Sequence, residues 1–317
     1  MSNKLGVMNQ LKIVSVNISE TKGTVKKPVD LITITHSGVE GDAHSGPWNR
    51  QMSLLGTDSI AKFEKQAGRK VKPGEFAENI TLEGFDCGKA HALDRFTCNE
   101  VELEITQIGK ECHGTSCAIF REVGDCVMPR EGVFARVLHP GRISAGDIAE
   151  FHPRMYRVLV ITLSDRASAG EYTDKAGARL QESLQKFFSE KGMNLFIHYA
   201  LIPDDPHKLE ELVHQAKDEL VDLVFTTGGT GIGPRDFTVD KIKPMLDKEI
   251  PGIMEMIRMK YGTVKPQALL SRSVAGVMGK TLVFTLPGNP NAVTEYMDEI
   301  LKSLQHLIYM MHGLEVH

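Results

Sequence analysis

The sequence predicts two domains of different class: a β-rich barrel or sandwich over residues 1–153, then an α/β unit with a doubly wound parallel sheet over residues 154–317. Three observations predict this. At 317 residues the chain is long for one domain, so two is the better prior. Short β-branched or alternating runs, punctuated by Gly and Pro, fill the first half. After His152-Pro153, apolar runs alternate with amphipathic stretches of helical period, the order that builds a parallel sheet covered by helices.

In the first half, LKIVSVNI (11–18) and LITIT (31–35) read as strands, and EVELEIT (100–106) alternates acid and apolar like a strand with one wet face. A helix is expected at 57–67, with Thr57 as N-cap and Ile60, Phe63 and Ala67 on its inner face. In the second half, YRVLVITL (156–163) is apolar on both parities, as a strand buried on both faces must be. A helix at 174–191 puts Leu180, Leu184, Phe187 and Phe188 on one stripe and stops at Gly192. LFIHYALI (195–202) is the next strand. Asp205-Pro206 then starts a helix as N-cap and first residue, with Leu209, Leu212, Val213, Ala216 and Leu220 inward. DLVFTT (222–227) and TLVFTL (281–286) complete four parallel strands, and a last helix runs from Ala292 to Met311.

Composition narrows the partners. Hydrophobic residues make up 41% and the formal net charge is −4. Residues 1–153 carry 18 Lys+Arg against 20 Asp+Glu, and residues 154–317 carry 19 against 21. Neither half is basic, which argues against nucleic acid as the main partner. No run of about eighteen apolar residues exists, so no membrane span is expected. The N-terminus shows no secretory signal, so the expectation is a cytoplasmic protein. All five cysteines (Cys87, Cys98, Cys112, Cys117, Cys126) lie in the first half without a C-x-x-C pair, which argues against a disulfide framework or structural zinc.

The polar, glycine-rich segments all leave the carboxyl ends of predicted strands: SDRASAGEYTD, PDD, TTGGTGIGPRDFT and LPGNPN. In an open parallel sheet the ligand crevice lies outside those ends, where strand order reverses. Gly228, Gly229, Gly231 and Gly233 let the backbone adopt positive φ and turn N–H groups toward an anion, most simply phosphate. The loop lacks the G-K-[ST] of a P-loop and the spacing of a dinucleotide fingerprint. Asp236 closes it, and Asp204 comes from the neighbouring strand end. Amides that bind anions beside two carboxylates suit a Mg²⁺-assisted phosphoryl or nucleotidyl site. The plain alternative is a tight turn with Asp236 as a helix cap.

SDRASAGEYTDKAG, IPDD, TTGGTGIGPRDFT, PGIMEMIR, LLSRSVAG and LPGNPNAV, in that order, resemble the molybdopterin adenylyltransferase family of the MogA/MoaB type. The resemblance implies transfer of AMP from Mg-ATP to the terminal phosphate of molybdopterin, with release of pyrophosphate. It implies Asp204, Asp236 and Ser271 as catalytic residues, with Asp236 and Asp204 at the metal. Gly228, Gly229, Thr230 and Gly231 would face phosphate, and Arg272 would neutralise it. Thr162, Ser164, Asp165, Pro287, Gly288 and Asn289 would line the substrate loops. The plain alternatives are Ser271 capping or closing a helix turn, Arg272 as half of a surface ion pair, and Asp165 and Asp174 as caps. Relatives of this type are commonly trimers, so a homo-oligomer is expected, and Met254, Met256, Met259, Met310 and Met311 read as core or subunit contact.

In the first half GVEGDAHSG (38–46), GEFAENITLEG (74–84), Cys112 and HPGRISAGD (139–147) resemble the MOSC domain, a β-rich barrel. The resemblance implies that Cys112 carries sulfur or meets molybdenum, since a soft thiolate suits either. His113 or Lys110 would lower its pKa. His44, Arg50, Glu78 and Asn79 become candidate contacts for a pterin phosphate, while Cys87, Cys98 and Cys126 read as small buried apolar residues. No desulfurase or molybdate-insertion domain is visible, so such activities would come from partner proteins. Together the two resemblances imply a bifunctional protein of molybdenum cofactor synthesis. The alternative is a non-catalytic carrier of molybdopterin or the finished cofactor.

Overall fold

The computed structural model describes residues 9–111 and 126–314. The chain divides into two compact units, Met1–Arg154 and Met155–His317.

The first unit contains the strands β1 (Asn9–Ile18), β2 (Lys27–Val29), β3 (Leu31–Thr35), β4 (Gly38–Val39), β5 (Met52–Gly56), β6 (Ile80–Glu83), β7 (Arg95–Cys98), β8 (Val101–Ile108), β9 (Val133–His139), β10 (Gly141–Ser144) and β11 (Ile148–His152). They run β11-β7-β8-β9-β5-β6-β1, and β1 pairs back onto β11. The result is a closed seven-stranded barrel, which removes the exposed edges an open sheet would leave. Its neighbours are antiparallel except for β5 and β6, and that pair is joined by the helix Thr57–Ala67, the crossover that parallel strands require. Leu11, Ile13, Leu54, Ile80, Leu82, Leu103 and Ile105 fill the interior.

Two local expectations are corrected here. The helix at 57–67 starts on Gly56 as N-cap in extended conformation, so the Thr57 hydroxyl caps nothing. The wet face expected for β8 is only half wet. Glu104 is buried, and Arg136 and Arg95 cover its carboxylate at 2.6 and 3.3 Å.

The second unit contains β12 (Met155–Leu163), β13 (Asn194–Ile202), β14 (Leu223–Thr227), β15 (Lys248–Glu249), β16 (Ala275–Met278) and β17 (Thr281–Leu286), in the order β13-β12-β14-β17-β16-β15. The first four are parallel, as expected. The sheet is not wholly parallel, because β16 and β15 add an antiparallel edge. Residues 279 and 280 form a two-residue turn between β16 and β17, with Gly279 at φ 61°. Such a short hairpin gave no periodic signal of its own. β13 lies on one side of β12 and β14 on the other, so the strand order reverses at β12.

The helices Lys175–Glu190 and Pro290–Met311 pack together, and Leu180, Leu184 and Phe188 are fully buried. Asp174 and Asp205 cap the helices that follow them, the second with Pro206 as first residue. Leu220, expected inward, is 62% exposed with φ 55°. The helix ends at Asp218, and the left-handed turn after it takes Leu220 off the apolar stripe.

Candidate functional site

At the carboxyl edge of the parallel strands is a cleft of about 410 Å³ lined by Leu163, Ser164, Asp165, Arg166, Asp204, Gly229, Gly233, Pro234, Arg235 and Asp236. The loops after β12, β13 and β14 meet there. The fourth glycine-rich segment, after β17, supports the third from beneath. Thr227 Oγ1 donates to the Pro287 carbonyl at 2.8 Å, and a Cβ on Gly288 would lie 3.3 Å from Gly228 Cα. Asn289 does not face the cleft but caps the last helix, accepting from the Asn291 and Ala292 amides.

The glycines have two separate reasons to be there. Gly228 and Gly229 have φ 108° and 64°, and a Cβ on them would strike the Leu163 carbonyl at 2.5 Å and Thr238 Oγ1 at 2.4 Å. Gly231 and Gly233 do not have positive φ. They leave room for Asp236, whose Oδ2 would lie 2.8 and 2.9 Å from a Cβ at those positions. That oxygen accepts from the Gly233 amide at 2.8 Å. The amides of Gly229, Thr230 and Gly231 donate to no protein acceptor among the described residues.

Three carboxylates share the cleft. The Asp204 amide donates to Asp165 Oδ1 at 2.9 Å, and Arg235 Nη1 lies 3.6 Å from Asp165 Oδ2. Burial, then the charge of Asp165 and more weakly that of Asp236, push the Asp204 carboxyl above its ordinary range. Mutual repulsion of this kind is relieved by a cation. Among the described residues no group of three or more His, Cys, Asp or Glu could hold a metal ion. A Mg²⁺ ion here would take one or two of these carboxylates and complete its shell with substrate oxygens and water, which is how that ion is usually held.

Arg272 does not offer its fork to the cleft. It donates to both Asp240 oxygens at 2.7 and 2.9 Å and to the Gly231 and Asp236 carbonyls at 2.7 and 2.6 Å. The cations that do line the cleft are Arg166 and Arg235. Sequence reasoning passed over both, although each stands beside a singled-out aspartate, Asp165 or Asp236. Ser271 and Thr162 also stand back from the cleft. Ser271 Oγ bonds Ser273 Oγ and Tyr296 OH, each at 2.9 Å. Thr162 Oγ1 donates to Asp174 at 2.7 Å, as does Tyr199 OH at 2.6 Å. Burial, then the Asp174 carboxylate, push the Tyr199 hydroxyl up to about 12. Ser164 Oγ accepts from the Ala167 amide and bonds Tyr172 OH.

In the barrel unit the loop at 38–46 and the segment at 74–84 meet in a buried polar network. Asp42 accepts from Lys26, the His44 amide at 2.9 Å, the Ser19 amide at 3.1 Å and Asn79 Nδ2 at 3.3 Å. Asn79 also holds Ser53 through its side-chain oxygen at 3.0 Å. Glu78 is fully buried, accepting from the Gly74 amide at 2.6 Å and Thr81 at 3.0 Å, and burial raises its pKa. Glu78 and Asn79 are therefore supports for the loop rather than surface contacts. Arg50 is exposed and, with Lys22, sits over the ring of Trp48 at 5.8 and 5.2 Å. Cys112, Cys117 and His113 lie outside the described residues.

Comparison with known proteins agrees with both halves. A family model described as "Probable molybdopterin binding domain" matches residues 159–306, and one described as "MOSC domain" matches residues 41–150. The chain is 40% identical over 159 residues to the molybdenum cofactor biosynthesis protein B of Staphylococcus carnosus, covering 49% of this chain and 91% of that one. It is 35% identical over 155 residues to a molybdopterin adenylyltransferase of Helicobacter pylori, covering 49% and 86%. It is 34% identical over 166 residues to a molybdenum cofactor biosynthesis bifunctional protein of Chlorobaculum tepidum, spanning only 50% of that protein and 52% of its own length. The crystal structure of MoaB from Thermus thermophilus is 34% identical and covers 50% of this chain and 98% of its own, with a TM-score of 0.45. The chain therefore belongs, through its α/β unit, to the MogA/MoaB family of molybdopterin adenylyltransferases, and it carries a MOSC domain ahead of that unit.

Proposed function

We propose that the α/β unit transfers the adenylyl group of Mg-ATP to the terminal phosphate of molybdopterin. One observation carries the reading: Gly229, whose amide donates to no protein acceptor among the described residues, lines the cleft that Asp165, Asp204 and Asp236 share, and the undonated amides of Thr230 and Gly231 follow it in the same loop. The amides would cradle phosphate oxygens. Arg166 and Arg235 would offset the remaining phosphate charge. Asp204 and Asp236 would hold Mg²⁺, which when bound supplies positive charge at the reacting phosphates. A pterin phosphate oxygen then forms a bond to the α-phosphorus of ATP, the bond to the β-phosphate breaks, and pyrophosphate leaves with the electron pair.

The test is Asp236→Asn in the full chain, with pyrophosphate release measured in the presence of molybdopterin and Mg-ATP. A loss of about tenfold or more, set by the removed charge, is expected. Near-normal turnover would remove Asp236 from its role. A wild-type protein that binds molybdopterin but releases no pyrophosphate would be a carrier instead.

For the barrel unit the proposal is binding of the molybdenum cofactor, with Cys112 as sulfur carrier or metal ligand. The exposed Lys22, Trp48 and Arg50 group supports it as a surface for an anionic, planar ligand. Sulfur transfer would require a cysteine-desulfurase partner, and metal loading a molybdate-insertion partner. We further propose self-association, as in a homotrimer. Met256, Met259, Val264, Leu269 and Leu270 are all exposed within residues 256–270, an apolar density unusual for a free surface. Light scattering on the full chain tests this, and a monomer at micromolar concentration would end it. Among the described residues no helix is long and apolar enough to cross a membrane. A cytoplasmic site of action fits the free buried thiols of Cys87 and Cys98.

A further inference from the structure

On the reading proposed above, the cleft takes the phosphate groups. Its lining combines Leu163, Ser164 and Pro234 with glycine backbone, three carboxylates and two guanidinium groups, and none of the residues that line it is aromatic. A substrate that laid a phosphate chain there would leave its ring system outside. At that rim stands one aromatic side chain with unusual constraints. The Tyr172 hydroxyl bonds Ser164 Oγ at 2.9 Å, and the Arg166 guanidinium lies 5.1 Å from the centre of its ring. Ser164 and Arg166 both line the cleft. Tyr172 is nevertheless 44% exposed.

Holding an aromatic side chain at its tip and over its ring costs conformational entropy, and burial does not offset that cost while so much of the residue remains in water. A planar ligand laid on the exposed part of the ring would offset it. Arg166 would act twice, drawing the phosphate chain into the cleft and fixing the platform beside it.

We propose that Tyr172 is the stacking platform for the planar nitrogen heterocycle of a phosphate-bearing substrate. The inference deepens the nucleotidyl-transfer reading of this cleft and rests on it. Adenine and pterin are both heterocycles of this class, and each carries phosphate in the proposed reaction. Stacking on an aromatic tolerates either, because recognition is by the flat π-face rather than by hydrogen-bond pattern.

The test uses the full chain and Tyr172→Ala, with Tyr172→Phe as a second variant that keeps the ring and loses its tether to Ser164. Calorimetry in Mg²⁺ buffer measures three probes: ATP, the phosphate ester of 6-hydroxymethylpterin, and inorganic triphosphate. Tyr172→Ala is expected to weaken one heterocyclic probe on the order of tenfold, the usual scale for one stacked base. Triphosphate binding should not change, and Tyr172→Phe should fall between. A loss confined to ATP makes adenine the occupant, and a loss confined to the pterin ester makes it the pterin. Equal weakening of all three probes would overturn the proposal, because Tyr172 would then only be shaping the phosphate loop. No weakening of any probe would overturn it outright. A wild-type chain that binds none of the three would instead bring down the reading of the cleft, and this inference with it.

Discussion

Arg272 grips both carboxylate oxygens of Asp240, at 2.7 and 2.9 Å, and in doing so ties the glycine loop shut. Its other bonds run to the Gly231 and Asp236 carbonyls, and its amide donates to the Thr230 carbonyl at 2.9 Å. One planar guanidinium thus fixes the positions of the loop's free amides and of Asp236 together. Lysine, a point donor, cannot make these bonds at once. Arg272→Lys should lower pyrophosphate release by about tenfold to a hundredfold through misplacement of the loop. The melting temperature should change little, because the ion pair is largely exposed. Turnover within error of wild type would show that the loop keeps its shape without this clamp.

Asp204 makes the stability of the α/β unit depend on pH in a stated direction. Its folded-state pKa is raised above 3.8 by burial and then by Asp165. The folded state therefore holds that proton more tightly than the unfolded chain does. The contribution to stability is present below pH 3.8 and is lost as pH rises through the raised value. At neutral pH the ionised group is a cost retained at the candidate site. Asp204→Asn should melt higher than wild type at pH 7, with the gap closing as pH falls toward 3.8. A variant that melts lower at pH 7 contradicts the sign.

The parallel strands, their helices and the caps Asp174 and Asp205 were legible in the sequence, because both-face burial and helical period are local signals. The same holds for Asp204 and Asp236, which leave the carboxyl ends of two strands consecutive in the chain. What was not legible depends on geometry between segments. Nothing local tells that Arg272 turns back to Asp240 rather than to a phosphate, or that Thr162 is used by Asp174. The same limit hid the place of Arg166 and Arg235 in the cleft lining and the burial of Glu104 under Arg95 and Arg136. The hairpin of β16 and β17 was missed because four residues are too few to show a period. Barrel closure needs β1 to meet β11 across the whole unit, which no window of sequence displays.

Ser271 is held by Tyr296, a buried residue whose hydroxyl donates to Ser271 Oγ at 2.9 Å, while Ser273 Oγ lies 2.9 Å away on the same oxygen. Tyr296→Phe removes one bond and leaves the ring packing intact. The stability cost should be about 1 kcal/mol. If Ser271 acts in the reaction, the variant should also lower kcat with KM for ATP unchanged, because the serine loses its orientation and not its substrate contact. A stability loss with kinetics untouched would assign Ser271 to the fold alone.

Lys26 and Asp42 form the buried pair beneath the loop at 38–46, each side chain about 1% exposed. Burial alone would raise the Asp42 carboxyl. Hydrogen bonds from His44 and Lys26, with the Lys26 charge, outweigh it and hold Asp42 below the usual carboxylate range. The stability this gives is in place above the ordinary value of 3.8 and drains as pH falls through that value and below. Lys26→Met leaves the carboxylate buried without its cation and should cost about 3–5 kcal/mol at neutral pH. Adding Asp42→Asn should recover part of that loss, since the stranded charge is gone, while the single amide oxygen keeps the bond from either the His44 amide or the Ser19 amide, which reach different oxygens of Asp42. Urea unfolding of the full chain, followed by the fluorescence of Trp48, reports on this unit directly. If the single and double variants unfold at the same urea concentration, the stranded charge is not what the lysine prevents.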